Sequence, residues 1–224
     1  MNLFQKFLGV IFFGSLLALQ GGQPLSKEVA KKYGVDNFSK IKSIEFTFNV
    51  KAGSRESARK WLWMPKSNQV TFWGKYKDGK EIKYSYTRTK ISEVKNEKTK
   101  WVDERFINDE YWLLFPFHLV WDKNVDIENA GIKKFPMGEG KGECLIVKFA
   151  KNVGYTPGDI FELYIGKDNL IKQWVYRPGG SEKERYPSLW EDNRDFNGIT
   201  ISTKHQGPGG KFKLWFSDVK VTAE

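Results

Sequence analysis

One cysteine, Cys144, is present in the whole sequence of 224 residues. No intramolecular disulfide can form, so the fold must hold without covalent staples even in an oxidising compartment. Histidine is nearly as scarce, with only His118 and His205. One thiol and two imidazoles cannot assemble a tetrahedral Cys/His metal site. No glycine-rich segment joins a strand to a helix as phosphate-cradling loops require, and Gly138, Gly140 and Gly142 read as a plain loop. The acidic run Glu191-Asp192-Asn193-Arg194-Asp195 fails the calcium-loop pattern and reads as a surface strand entering a hairpin. His118, set among Phe117, Leu119 and Trp121, reads as a satisfied, partly buried histidine, and Cys144 as a small inert hydrophobe within a strand. No catalytic constellation, metal or cofactor is therefore expected. Long hydrophobic runs are missing too: the longest, residues 7–19, falls short of the roughly 20 residues that span a bilayer. Repeats, low-complexity tracts and interdomain linkers are also lacking.

That short run has a meaning of its own. It follows a start whose only charge is Lys6, is interrupted by Gly9, Gly14 and Ser15, and ends at Gln20-Gly21-Gly22. A basic start, an apolar core of about 7–15 residues and a small-residue exit describe a cleavable export signal over residues 1–22, cut between 20 and 22. The alternative is an N-terminal anchor helix. No cysteine follows the run to carry a lipid, so residues 23–224 are expected to form one soluble periplasmic domain. Its size suits a single core. Without residues 1–22 the chain keeps 36 basic and 27 acidic residues, a net charge of +9. Such a balance either makes a solvated, soluble surface, the lysines being spread among acids, or favours anionic partners, here a transient contact with an anionic membrane surface; no nucleic-acid motif is present.

Residues 26–40 read as a helix capped by Ser26 and interrupted by Gly34. From residue 41 the period changes to two: Ile44, Phe46, Phe48 and Val50 alternate with polar residues, followed by Trp61 and Trp63, then Val70 and Phe72, then Ile82, Tyr84 and Tyr86. Asp78-Gly79 joins the last two runs as a hairpin. Further strands are expected over residues 125–129 and 143–149. Hairpins follow around Lys167-Asp168-Asn169 and Asn197-Gly198, and a last strand near 211–221 has a bulge at Ser217-Asp218. This makes about eleven strands. Residues 106–121 break the rhythm, with Asn108 as the expected N-cap. The stretch Tyr111 to Trp121 is apolar on every face and holds Pro116, which should kink it. Such a segment needs cover, and the concave face of a strongly curved sheet would supply it.

The segments Ile41-Lys42-Ser43-Ile44-Glu45-Phe46-Thr47-Phe48, Asn108-Asp109-Glu110-Tyr111-Trp112-Leu113-Leu114 and Asp159-Ile160-Phe161-Glu162-Leu163-Tyr164-Ile165 resemble the LolA/LolB-like family of exported lipoprotein carriers. Lys172-Gln173-Trp174-Val175 and Phe216-Ser217-Asp218-Val219 fit the same pattern, so the resemblance spans most of residues 23–224. It implies an α+β fold: an unclosed half-barrel of antiparallel strands with an N-terminal helix and an apolar mid-chain lid helix, sheltering acyl chains. Nine tryptophans and seventeen phenylalanines are the strongest compositional signal. They either pack the core or line a cavity. The candidates for a lining are Phe46, Phe48, Trp61, Trp63, Phe72, Tyr84, Tyr86, Trp112, Phe115 and Phe117. The expected function is that of a monomeric, non-enzymatic carrier for a lipid or the acyl chain of a lipoprotein. The alternatives are a protein-interaction or sensor domain on the same scaffold, and a cell-wall polysaccharide binder, which would expose its tryptophans on a flat face.

Overall fold

The structure, a computed structural model, describes residues 22–89, 93–152 and 155–224. The expected export signal lies almost wholly outside them. Among the described residues, twelve strands and two α-helices follow one another as α1 (Gly22–Lys32), β1 (Ile41–Ala52), β2 (Arg55–Met64), β3 (Gln69–Lys75), β4 (Glu81–Thr87), α2 (Glu97–Trp121), β5 (Val125–Lys134) and β6 (Lys141–Phe149). Then come β7 (Ile160–Ile165), β8 (Ile171–Arg177), β9 (Tyr186–Leu189), β10 (Glu191–Phe196), β11 (Ile199–Gln206) and β12 (Phe212–Ala223). They form a seven-stranded sheet in the order β10-β11-β12-β1-β2-β3-β4 and a five-stranded sheet β5-β6-β7-β8-β9, antiparallel throughout. Only Trp190 separates β9 from β10, and its amide donates to the Lys172 carbonyl of the smaller sheet. On the other side, β4 and β5 are joined through α2 and do not pair. The protein is thus an unclosed α+β half-barrel. Among the described residues no helix is long and apolar enough to cross a membrane.

Several local signals act as the sequence suggests. Asn197 and Gly198 both take positive φ and close β10 and β11 with a two-residue turn. Asp218 also takes positive φ where the β1–β12 register shifts, which is the expected bulge. Other expectations are corrected. The first helix begins at Gly22, not Ser26, and buried Ser26 lies inside it. The helix gives way at Gly34 (φ 88°), where a Cβ would sit 2.1 Å from the Gly198 carbonyl oxygen, so both conformation and packing demand glycine. Residues 35–40 continue as a 3₁₀ segment. The long helix is capped by Asn96, whose Oδ1 accepts from the Thr99 amide, whereas Asn108 is interior and donates to Asp109. One strand beyond the eleven expected, β9, carries Pro187, which an edge strand tolerates.

α2 lies in the concavity, and its residues 113–117 are buried on every side. Leu114 leaves helical geometry (φ −127°, ψ 22°) two residues before Pro116, whose ring and missing N–H disrupt the turn before it. The strand register settles which parity faces inward. Phe46, Trp61, Phe72 and Tyr84 form one row across β1–β4, and Ile44, Trp63, Val70 and Tyr86 the next. Phe106 of α2 packs edge-on against Trp61 and Trp63.

Candidate functional site

Residues four apart on a helix share a face, and α2 uses this to wall two neighbouring cavities. Glu104, Asn108 and Trp112 line the larger, of about 720 Å³. Glu110, His118 and Trp121 line the smaller, of about 560 Å³. Ile107 and Tyr111 lie on the stripe between them and line both.

The larger cavity is lined chiefly by aromatic and aliphatic side chains, with Arg59, Glu104, Asn108 and Asp159 as charged and polar members. Phe48 and Phe212 come from the seven-stranded sheet, Phe161, Trp174 and Tyr176 from the five-stranded one, and Trp112 from the helix. Trp112 packs on Trp174 with ring centroids 4.2 Å apart and on Phe212 at 5.9 Å. Arg59 supplies the cationic edge. Its Nε and Nη2 donate to the two oxygens of Asp109 at 2.7 and 2.6 Å, and its guanidinium sits 4.6 Å from the Phe48 ring centroid. Trp61 Nε1 also donates to Asp109, at 2.8 Å. Burial raises the Asp109 pKa, while Arg59, Asn108 and Trp61 pull it back toward the ionised form. This junction fixes α2 to β2.

The smaller cavity mixes rings with charge. His118 Nε2 lies 2.9 and 3.1 Å from the two oxygens of Glu110, and Nδ1 lies 3.1 Å from Asp122. Burial pulls its pKa down, but the two carboxylates more than offset this and hold the imidazolium up to about 10. The Tyr111 ring stacks on the imidazole (3.8 Å, 22°), and its hydroxyl donates to Asp122 at 2.8 Å. Arg88 on the same lining donates from Nε to Asp103, which also accepts from the hydroxyls of Tyr86 and Tyr155.

The candidate aromatics share this concave interior but occupy different depths. Phe48 and Trp112 line the larger cavity, and Trp63 the smaller. Phe46, Trp61, Phe72, Phe115 and Phe117 are fully buried between sheets and helix, one layer behind the cavity surfaces. Tyr84 and Tyr86 are half-buried, and their hydroxyls are bonded to Thr99 and Asp103 of α2. Sequence reasoning passed over Phe161, Trp174 and Tyr176. Their alternation along adjacent strands, with Phe161 opposite Tyr176 and Leu163 opposite Trp174, was the available signal. It also passed over the charged set, although Glu110, His118 and Asp122 are spaced by multiples of four. Cys144 sits on the other face of the five-stranded sheet in a small cluster with Tyr164 and Val175, and burial pushes its thiol up to about 12. At neutral pH it is a thiol, not a thiolate nucleophile.

No protein-family model matches the chain, and no curated protein does. Several solved structures match it. The chain is similar to a DUF1329-family protein from Desulfovibrio piger (12% identity, 89% of this chain and 92% of that one, TM-score 0.46). It is also similar to a Vibrio parahaemolyticus protein assigned as an outer membrane lipoprotein-sorting protein domain (8%, 90% and 92%, TM-score 0.48). A third is the lipoprotein LppX of Mycobacterium tuberculosis (7%, 90% and 99%, TM-score 0.33). Overlaps this loose carry no argument about what this chain binds.

Proposed function

We propose that the protein is an exported, non-enzymatic carrier that holds the acyl chain of a lipid or lipoprotein in the larger cavity. The observation that carries this reading is the lining itself: aromatic rings from both sheets and from α2 converge on a space of about 720 Å³. That size is typical of small-molecule sites, which are mostly apolar with a few placed polar groups. Ten buried methylenes would contribute on the order of 8 kcal/mol, enough for useful affinity without any charged contact. The export signal read in residues 1–22 supports a periplasmic setting, and the net positive charge supports transient contact with anionic membrane surfaces.

Polysaccharide binding by stacked tryptophans calls for broadly exposed indoles, whereas four of the nine tryptophans are buried and the other five are only partly exposed. Native mass spectrometry of gently purified protein tests the proposal. Lipid or acylated adducts are expected, displaced by a fluorescent fatty acid. Protein free of adducts that also binds no acylated probe would leave the sensor-domain reading in its place.

A further inference from the structure

We infer that Tyr111 is the partition that sets how long an acyl chain the protein accepts, an inference that rests on the carrier reading above. The two cavities are neighbours and share four lining residues: Ile107 and Tyr111 from α2, and Tyr155 and Thr156 from the segment before β7. The two tyrosines stand between the aromatic space on one side and the charged one on the other. Each is held at its tip. The Tyr111 hydroxyl donates to Asp122 at 2.8 Å while its ring lies flat on His118, and His118 is itself bonded to Glu110 and Asp122. The Tyr155 hydroxyl donates to Asp103, a carboxylate that is 1% exposed and also bonded to Tyr86 and Arg88. A ring fixed at both its face and its tip does not swing aside cheaply. Much of the charge in the smaller cavity is thus spent on positioning the wall, which gives the buried Glu110–His118–Asp122 set a purpose beyond its own pairing.

A chain entering the larger cavity gains affinity with each methylene buried until it meets Tyr111, whose fixed ring bars further carbons from the space beyond. Removing the ring joins the two spaces, and the second offers Phe38, Trp63 and Phe149 to the continuing chain.

The test measures dissociation constants of wild type, Tyr111→Ala and Tyr155→Ala for a series of fatty acids from octanoate to arachidate. A circular dichroism melt of each variant establishes that it is folded. For wild type the affinity should rise about fourfold for each added methylene and then level off. In Tyr111→Ala the rise should continue to longer chains by several carbons. Tyr155→Ala, which removes the wall from the other side, should show the same extension if Tyr111→Ala does not fold. Levelling at an unchanged chain length in every folded variant overturns the partition while leaving the carrier reading intact. Absence of binding by wild type overturns both.

Discussion

The two histidines are buried in opposite ways, and stability should register both. His205 packs among Trp112, Trp190 and Phe216, and Nε2 donates to the Ser202 carbonyl. Burial pushes its pKa down to about 3, so it is neutral at pH 7. The unfolded chain takes up this proton below about pH 6.5 and the folded one does not. Stability is therefore lost as pH falls from 6.5 toward 3. His118 has the reverse sign. With its pKa held up at about 10, the stability it contributes is complete below pH 6.5 and is lost as pH rises toward 10. Each limb has a limiting slope of about 1.4 kcal/mol per pH unit. Urea midpoints followed from pH 3 to 10 should flatten on the alkaline side in His118→Gln and on the acid side in His205→Gln; variants that keep both wild-type slopes would contradict the assignment. The sequence showed His118 to be a satisfied histidine but not by whom, because Glu110 reaches it from two turns away. For Cys144→Ala, a loss of about 1 kcal/mol with ligand binding unchanged is expected, since the residue packs a satellite cluster away from both cavities. Abolished binding in a folded variant would instead point to thiol chemistry.

At the level of elements, α2 separates packing from lining within a single turn. Phe115 is fully buried against Phe161 and Trp174, with ring centroids 4.8 and 5.3 Å away. Phe115→Ala should cost about 3–5 kcal/mol. Trp112 is half-buried and faces the larger cavity, so Trp112→Ala should weaken a fluorescent fatty acid more than it lowers the unfolding midpoint. Equal effects of the two substitutions on binding, scaled to stability, would mean that the helix is core throughout. The greasy half of α2 was legible because nothing but a covered helix suits eleven nearly unbroken apolar residues. Its first half was not: Glu97, Lys98, Asp103, Glu104 and Arg105 look like surface, and the burial of Val102 and Phe106, with the pairing of Asp103 to Tyr86 and Arg88, draws that stretch inward. β9 was missed for a related reason, since four residues containing a proline carry no periodicity of their own.

For the whole molecule, alternation gave the strands and their parity, while the division into two sheets depends on a one-residue corner at Trp190 that no local pattern marks. The side of the sheet that carries the aromatic rows became definite only through register across β1–β4. Export is a whole-chain property and has its own check. N-terminal sequencing of protein released from the periplasm without detergent should begin near residue 21–23. Recovery of Met1 or Lys6 in that fraction would refute the signal.

The place of β1, between β2 and β12, also has a consequence in time. Ile41 lies opposite Ala223 and Phe48 opposite Phe216, so the first strand and the last are neighbours across nearly the whole chain. A polypeptide emerging from its N-terminus presents β1 early and its partner last. Hairpins β1–β4 can close as they appear, but one edge of β1 must wait, open, until β12 arrives. Such distant pairings make assembly slow and leave an unpaired edge exposed to other chains in the meantime. The step that completes the larger sheet is therefore among the last in the molecule's formation, and until then the concavity that would shelter a ligand has only part of its wall.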